Sequence, residues 1–264
     1  MGSLSFDQLV ESYDKTRGFD NDCFTSALDF LSEQFPSTLY PKVFEPGIGT
    51  GRIAIPLAGR GYEISGIDIS AEMLALLKKH LNSIDLSSQV SYEIGDTTHL
   101  PFPDSTFDIA IAVHLFYFIH EWEKAADELL RVVKPQGSIV LMHTGMGAEV
   151  PSLNARYKEL CADQGCVIES VGVKGTGEVV DYYSEIGCSV AWIKDRWKWV
   201  SHITLEEAIH YIETRSYSFT TVASDEIHDT AVERLKSEMT SRFCTLDHQV
   251  DTPNQIYFVF IRRE

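Results

Sequence analysis

The sequence predicts an α/β protein built on a parallel, doubly wound sheet. Strands and amphipathic helices alternate regularly between residues 42 and 143. The strand over Phe107–Val113 is nearly all apolar, as a strand covered on both faces must be. Glycines cluster directly after the first strand of the series. Regular βα alternation closes into such a sheet through right-handed crossovers.

Ahead of that series, Phe6, Leu9, Val10 and Tyr13 recur at helical spacing, and so do Phe24, Ala27, Leu28, Leu31 and Phe35. These are two helices, broken around Arg17-Gly18. Lys42–Glu45 is a short strand ending in Pro46, and Arg52–Gly59 is a helix made irregular by Pro56. Tyr62–Ile69 is a second strand. Ser70 caps the next helix, where Met73, Leu74, Leu77 and Leu81 share a face. Val90–Ile94 and Phe107–Val113 are further strands. Trp122, Ala125, Ala126, Leu129, Leu130 and Val133 mark a helix stopped by Pro135 and Gly137, and Ser138–His143 is a fifth strand. After Thr144 the rhythm loosens: helices are expected at Asn154–Cys161, Leu205–Ile212 and Ile227–Phe243, with a tryptophan-rich stretch at Cys188–Val200 and a last strand at Ile256–Arg262. This later region completes the sheet and covers one of its rims.

Composition excludes some functions. The 264 residues carry 22 Lys+Arg against 39 Asp+Glu, a net charge of -17, and no basic cluster. Such a surface repels a polyanion, so no nucleic-acid partner is expected. Cys23, Cys161, Cys166, Cys188 and Cys244 are odd in number, scattered and without a CxxC pair, which suits reduced thiols. With no signal peptide and no run of 18 apolar residues, a cytoplasmic protein without membrane contact is expected. A homodimer is compatible with this composition.

The chemistry concentrates at Val43-Phe44-Glu45-Pro46-Gly47-Ile48-Gly49-Thr50-Gly51-Arg52, between a strand and a helix. Alternate glycines permit positive φ and bring the backbone close to a ligand; the plainer reading is a tight strand-to-helix turn. Asp68 ends the next strand, where an acid accepts hydrogen bonds from ribose hydroxyls. A dinucleotide loop needs GxGxxG, but Arg52 stands where its third glycine would be. Glu45 would also repel a pyrophosphate. It suits a nucleoside ligand carrying an ammonium group.

These motifs resemble those of the class I S-adenosylmethionine-dependent methyltransferases, in their small-molecule, methyltransferase type 11-like branch. Glu45-Pro46-Gly47-x-Gly49-x-Gly51 is similar to the family's first motif, and Gly66-Ile67-Asp68-Ile69-Ser70 to its ribose-binding strand end. Gly95-Asp96-Thr97 resembles the adenine loop, Phe107-Asp108-Ile109-Ala110 the fourth strand, and Leu130–Gly137 the family's "RVLKPGG" element, with Gln136 in place of a glycine. The resemblance implies a Rossmann-like, mostly parallel seven-stranded sheet with an antiparallel last strand, N-terminal helices and a helical cover. It implies one domain over 1–264: an N-terminal lid at 1–35, a cofactor-binding core at 36–146, and a substrate cover with the last strands at 147–264.

The implied cofactor is S-adenosylmethionine and the implied partner a small-molecule methyl acceptor; no metal is implied. Glu45 would hold the methionine ammonium, with Gly47, Gly49 and Gly51 lining that portion. Asp68 would bind the ribose, Ile69 would pack on the adenine, Asp96 would accept from the adenine amino group, Thr97 would help fix the ring, and Met73 would belong to the same cofactor site. His114 would sit beside the sulfonium. Tyr13 and Arg17, in Tyr13-Asp14-x-x-Arg17, resemble a lid element of the same branch, and Arg215-Ser216-Tyr217-Ser218 another stretch of it without an attached role.

Methyl transfer is an in-line displacement, helped mainly by positioning. Where the acceptor must lose a proton, the rim histidines His114, His120 and His143 are in reach, and His114 and His143 are the expected pair. Trp197 and Trp199 share a strand face, as core packing or as the wall of an apolar pocket. Three alternatives stay open: a dinucleotide-dependent oxidoreductase, a non-catalytic S-adenosylmethionine-binding protein, and a methylase of metalloids held by cysteine thiolates.

Overall fold

The structure, a computed structural model, describes residues 19–84, 86–146 and 149–263. Seven strands form one sheet in the order β3-β2-β1-β4-β5-β7-β6. They are β1 (Lys42–Pro46), β2 (Glu63–Asp68), β3 (Val90–Ile94), β4 (Phe107–Val113), β5 (Val133–Met146), β6 (Cys188–Thr204) and β7 (Gln249–Arg263). The first five run parallel; β7 runs antiparallel between β5 and β6. The chain order therefore reverses between β1 and β4, which pair directly. In a doubly wound sheet the crevice beyond the strand ends at that reversal is where ligands bind.

Helix α1 (Asn21–Gln34) starts where Asp20 accepts a hydrogen bond from the Cys23 N–H at 2.9 Å. It buries Ala27, Leu28 and Leu31 against one sheet face, together with the short α2 (Ala54–Ala58) and α3 (Ala71–Asn82). Helices α4 (Trp122–Val132) and α6 (Thr176–Glu185) cover the opposite face. A third core lies beyond the sheet, where α5 (Glu149–Ala162), α7 (Leu205–Glu213) and α8 (Asp225–Phe243) bury Tyr157, Leu160, Ile209, Ile212 and Leu235 among themselves. Trp197 is packed in the sheet core, its ring 5.4 Å from Phe258 and 5.3 Å from Phe30.

Two of the sequence motifs turn out to be staples of the sheet. Asp108, buried on β4, accepts from the Lys42 N–H at 2.9 Å and from Lys134 Nζ at 2.6 Å. Arg131 donates to the carbonyls of Leu100 and Phe102 and to the carboxylates of Asp104 and Glu128, and so ties down the β3–β4 connection. Gly137 is required by contact: a Cβ there would lie 2.4 Å from the Asp108 carbonyl oxygen.

The structure departs from the sequence reading in several places, among them β7, which starts at Gln249 rather than Ile256. β5 begins at Val133, because the residues after α4 are extended and Val133 pairs with Phe107 across an irregular register. Helix α6 was not anticipated. Gly172, Gly175 and Gly177 break the pattern at its start, although Val179, Val180 and Tyr183 are a buried helical face. The Arg52–Gly59 helix contracts to α2, since the loop ahead of it is held in left-handed conformations.

Candidate active site

Gly47, Gly49 and Gly51 all have positive φ, at 68°, 54° and 86°. A side chain at Gly51 would strike Leu77 and Ile55, so this glycine lets the loop pack on α3. Gly49 differs: a Cβ there would meet almost nothing of the protein and would only fill the space above the loop. The Gly49 N–H donates to Asp68 Oδ2 at 2.9 Å, and the Ser70 N–H to Oδ1 at 2.8 Å. Asp68 thus fastens the glycine loop to the end of β2.

Glu45 sits at the end of β1, buried, and its Oε2 has no hydrogen-bond partner. Burial pushes its carboxyl well above the usual carboxylate range; the Ala54 N–H and the Arg52 charge only partly oppose this, and Asp68 adds to it. An unsatisfied buried acid is costly unless a ligand completes it. Ile69 and Ile94, at the ends of β2 and β3, are exposed apolar side chains flanking the same crevice. Met73, in the first turn of α3, is buried and gives its N–H to Ser70 Oγ at 3.1 Å. Asp96 is exposed, with Oδ1 accepting from the Thr98 N–H and hydroxyl at 2.9 Å, while Thr97 is buried. Tyr13 and Arg17 lie outside the described residues.

Across the crevice, His114 follows β4 in a left-handed conformation, φ 51°, which histidine adopts more readily than bulkier residues. The Thr144 N–H donates to its Nε2 at 3.0 Å, and the Thr144 hydroxyl lies 2.9 Å from the same atom. Nε2 is therefore an acceptor already in use, which assigns the ring proton to Nδ1. His143 does not end β5, as the sequence reading placed it, but lies three residues before the strand's end at Met146; it is buried, and its Nδ1 has no hydrogen-bond partner. Burial pushes it down to about 4, so the imidazole is neutral at physiological pH. The two rings stand edge to face, 5.1 Å apart. His120 is exposed and outside this pair.

Sequence reasoning missed three residues that surround His143. Tyr117 lies in the 3-10 turn Leu115–Phe118, Thr176 opens α6, and Tyr257 sits opposite His143 on β7. The Thr176 hydroxyl is 3.2 Å from Tyr117 Oη, 3.1 Å from Tyr257 Oη and 3.4 Å from His143 Nε2. The spacing His114-x-x-Tyr117 was a usable signal; the convergence of Thr176 and Tyr257 was not. The Arg215 stretch belongs to the cover instead, where Arg215 donates to the carbonyls of Thr220 and Ala223 and to Asp225. Cys161 and Cys166 associate with the cover core and Cys188 with a sheet core, and among the described residues no three His, Cys, Asp or Glu side chains gather as a metal site.

Residues 44–141 match the family described as a methyltransferase domain. The phosphatidylethanolamine N-methyltransferase of Cereibacter sphaeroides is 33% identical over 102 residues, covering 39% of this chain and 50% of its own. The chain spans about half the length of the curated relatives it matches. Among solved structures, the YcgJ protein of Bacillus subtilis is 19% identical, with a TM-score of 0.62 over 90% of this chain and 99% of its own. A phosphoethanolamine N-methyltransferase of Haemonchus contortus, solved with phosphomonomethylethanolamine and S-adenosylhomocysteine, is 19% identical, with a TM-score of 0.55 over 98% of this chain and 58% of its own. At these identities the two structures establish the fold.

Proposed function

We propose that this chain, whose residues 44–141 match a methyltransferase-domain family, is an S-adenosylmethionine-dependent methyltransferase acting on a small molecule. The observation that carries the reading is the buried, unpartnered Glu45 oxygen beside three left-handed glycines, one strand from Asp68. A cationic, phosphate-free nucleoside fits that set: an acid for an ammonium, a loop free of Cβ atoms, and a carboxylate at the ribose position.

Glu45 would hold the ammonium, Gly47, Gly49 and Gly51 would line that end, and Asp68 would take the ribose hydroxyls. Ile69 and Met73 would border the adenine, with Asp96 and Thr97 at its edge and Tyr13 and Arg17 as a lid. S-adenosylmethionine, when bound, supplies a methyl group activated by a sulfonium. The chain's own part is to hold the acceptor in line and to exclude water. His114 and His143 stand on the acceptor side. His114, with Nε2 engaged by Thr144, is set to donate and orient. His143, neutral and with Nδ1 unpartnered, has a ring nitrogen left to engage an acceptor by hydrogen bonding. The cover after residue 147 would complete the acceptor site. Among the described residues no helix is long and apolar enough to cross a membrane.

The test is calorimetric titration with S-adenosylmethionine and S-adenosylhomocysteine, beside Asp68→Ala. Micromolar binding weakened by roughly 1 kcal/mol or more in the variant is expected for lost hydrogen bonds. Turnover to S-adenosylhomocysteine in the presence of an acceptor separates an enzyme from a binding protein. Absence of binding by the folded protein would remove the reading.

A further inference from the structure

We propose that Tyr117, His143, Thr176 and Tyr257 form the recognition site for the methyl acceptor, and that the site takes an uncharged aromatic hydroxyl compound, a phenol or catechol, rather than an amine. The proposal rests on the methyl-transfer reading for the purpose of the bound hydroxyl, but not for its binding.

The four side chains come from four separate elements and meet at one hydroxyl, that of Thr176. Their meeting is enforced. The Gly172 N–H donates to the Tyr117 carbonyl at 3.1 Å and the Val173 N–H to the Phe116 carbonyl at 3.2 Å. This clamps the segment ahead of α6 onto the turn that carries Tyr117. His143 is buried, with half-buried Tyr117, His114 and Tyr257 around it. Such a place lacks only a partner for Nδ1, which leaves a desolvated nitrogen at a cost unless something donates to it or accepts from it.

The walls set the shape of that partner. The His143 and Tyr257 rings are stacked, 5.2 Å apart and 15° from parallel, and the Tyr117 ring meets His143 edge-on at 5.9 Å. A guest that reached His143 Nδ1 would lie among these rings, where an aromatic edge or face is a favoured neighbour. The polar atoms are two phenols, one alcohol and one neutral imidazole, which can donate to and accept from a hydroxyl without any net charge.

Electrostatics decides against an amine. Burial alone accounts for the neutrality of His143, with no charged side chain contributing. The cation at the edge of the cluster is Lys194, whose Nζ lies 3.6 Å over the Trp192 ring and 5.7 Å from the Tyr257 ring. An amine arrives protonated; it would meet the Lys194 ammonium beside Tyr257 and no carboxylate among the hydrogen-bond partners of these four side chains. A phenol meets neither obstacle, and a phenolate would be drawn by Lys194.

The experiment titrates the protein, ligand-free and saturated with S-adenosylhomocysteine, with 4-nitrophenol and with benzylamine, following absorbance and heat. Wild-type protein is expected to bind 4-nitrophenol at least about tenfold more tightly than benzylamine, the difference corresponding to one good hydrogen bond plus charge exclusion. Thr176→Val and Tyr257→Phe, which remove hydroxyls at nearly constant shape, should each weaken 4-nitrophenol about fivefold or more while S-adenosylhomocysteine affinity stays within about twofold. Thermal melts of both variants establish that they are folded. Equal binding of the two probes, or 4-nitrophenol binding untouched by both variants, overturns the proposal. If S-adenosylhomocysteine fails to bind while the probe contrast holds, the cofactor reading falls and this site stands; the reverse result separates them the other way.

Discussion

The two ends of the crevice solve opposite problems with the same device. At the β1 end a buried acid, Glu45, has an oxygen without a partner; at the β5 end a buried base, His143, has a nitrogen without one. Burial drives both toward their neutral forms, raising the acid and lowering the base. The difference is in what surrounds them. Glu45 has Arg52 and Asp68 as charged neighbours, whereas His143 has rings and hydroxyls. On the readings proposed above, one end would take a cation and the other a neutral molecule. If each does its own work, each should be breakable without the other.

The largest effect is expected from Gly172→Ala. Its Cβ would lie 1.9 Å from the Phe116 carbonyl oxygen, so the segment carrying Thr176 must detach from the Tyr117 turn. A loss of roughly 3 kcal/mol by denaturant unfolding is expected, at the upper end of overpacking costs. Binding of 4-nitrophenol should fall with it, and cofactor affinity should survive in the fraction that stays folded. If cofactor affinity falls equally, the two ends are coupled.

Next comes acid sensitivity. The folded His143 titrates near 4 and the unfolded one near its ordinary value. Between those values the unfolded chain binds the extra proton, so stability falls as pH drops from about 6.5 toward 4, by roughly 2–3 kcal/mol in total. His143→Gln should flatten that limb of the melting-temperature profile. An unchanged limb would mean that the imidazole is hydrated.

Glu45→Gln sharpens the other side. Here the folded state retains a proton that the unfolded state has released, so the ligand-free protein loses stability as pH rises above the unfolded carboxyl value. The amide abolishes this slope, and the ligand-free variant should melt higher than the parent at pH 8. The same change should weaken S-adenosylmethionine by roughly 10- to 100-fold, the loss of a charged hydrogen bond worth about 1.5–3 kcal/mol. Higher stability without weaker binding would take the ammonium away from Glu45.

The same contrast explains what could be read from the chain alone. The cofactor end is written in short local motifs, because a strand end, a turn and a helix start lie within ten residues around Gly49 and again around Asp68. Their spacing carried the parallel, doubly wound sheet and the glycine loop. The acceptor end is assembled from residues 117, 143, 176 and 257, whose proximity exists only once β7 has entered between β5 and β6. His143 was legible as a rim histidine; Thr176 was hidden by the glycines before α6. Motif membership was also an imperfect guide to place, since Asp108 and Arg131 serve the sheet and the β3–β4 connection.

The pairing of β6 with β7 has a mechanical consequence. β5 stops at Met146, opposite Asn254, yet β6 and β7 continue together as far as the Thr204–Gln249 pair, where the Leu205 and Glu206 N–H groups close onto the carbonyls of His248 and Leu246. This overhang is a cantilever with α7 and α8 mounted at its tip. A hydrogen-bonded ribbon resists stretching and yields most easily by bending at an irregularity, and here the register breaks between Ile193 and Trp197. Lys194 sits in that break. A bend at this break would tilt Lys194 relative to the Tyr257 ring, and so couple the cover mechanically to the polar cluster on β5 and β7.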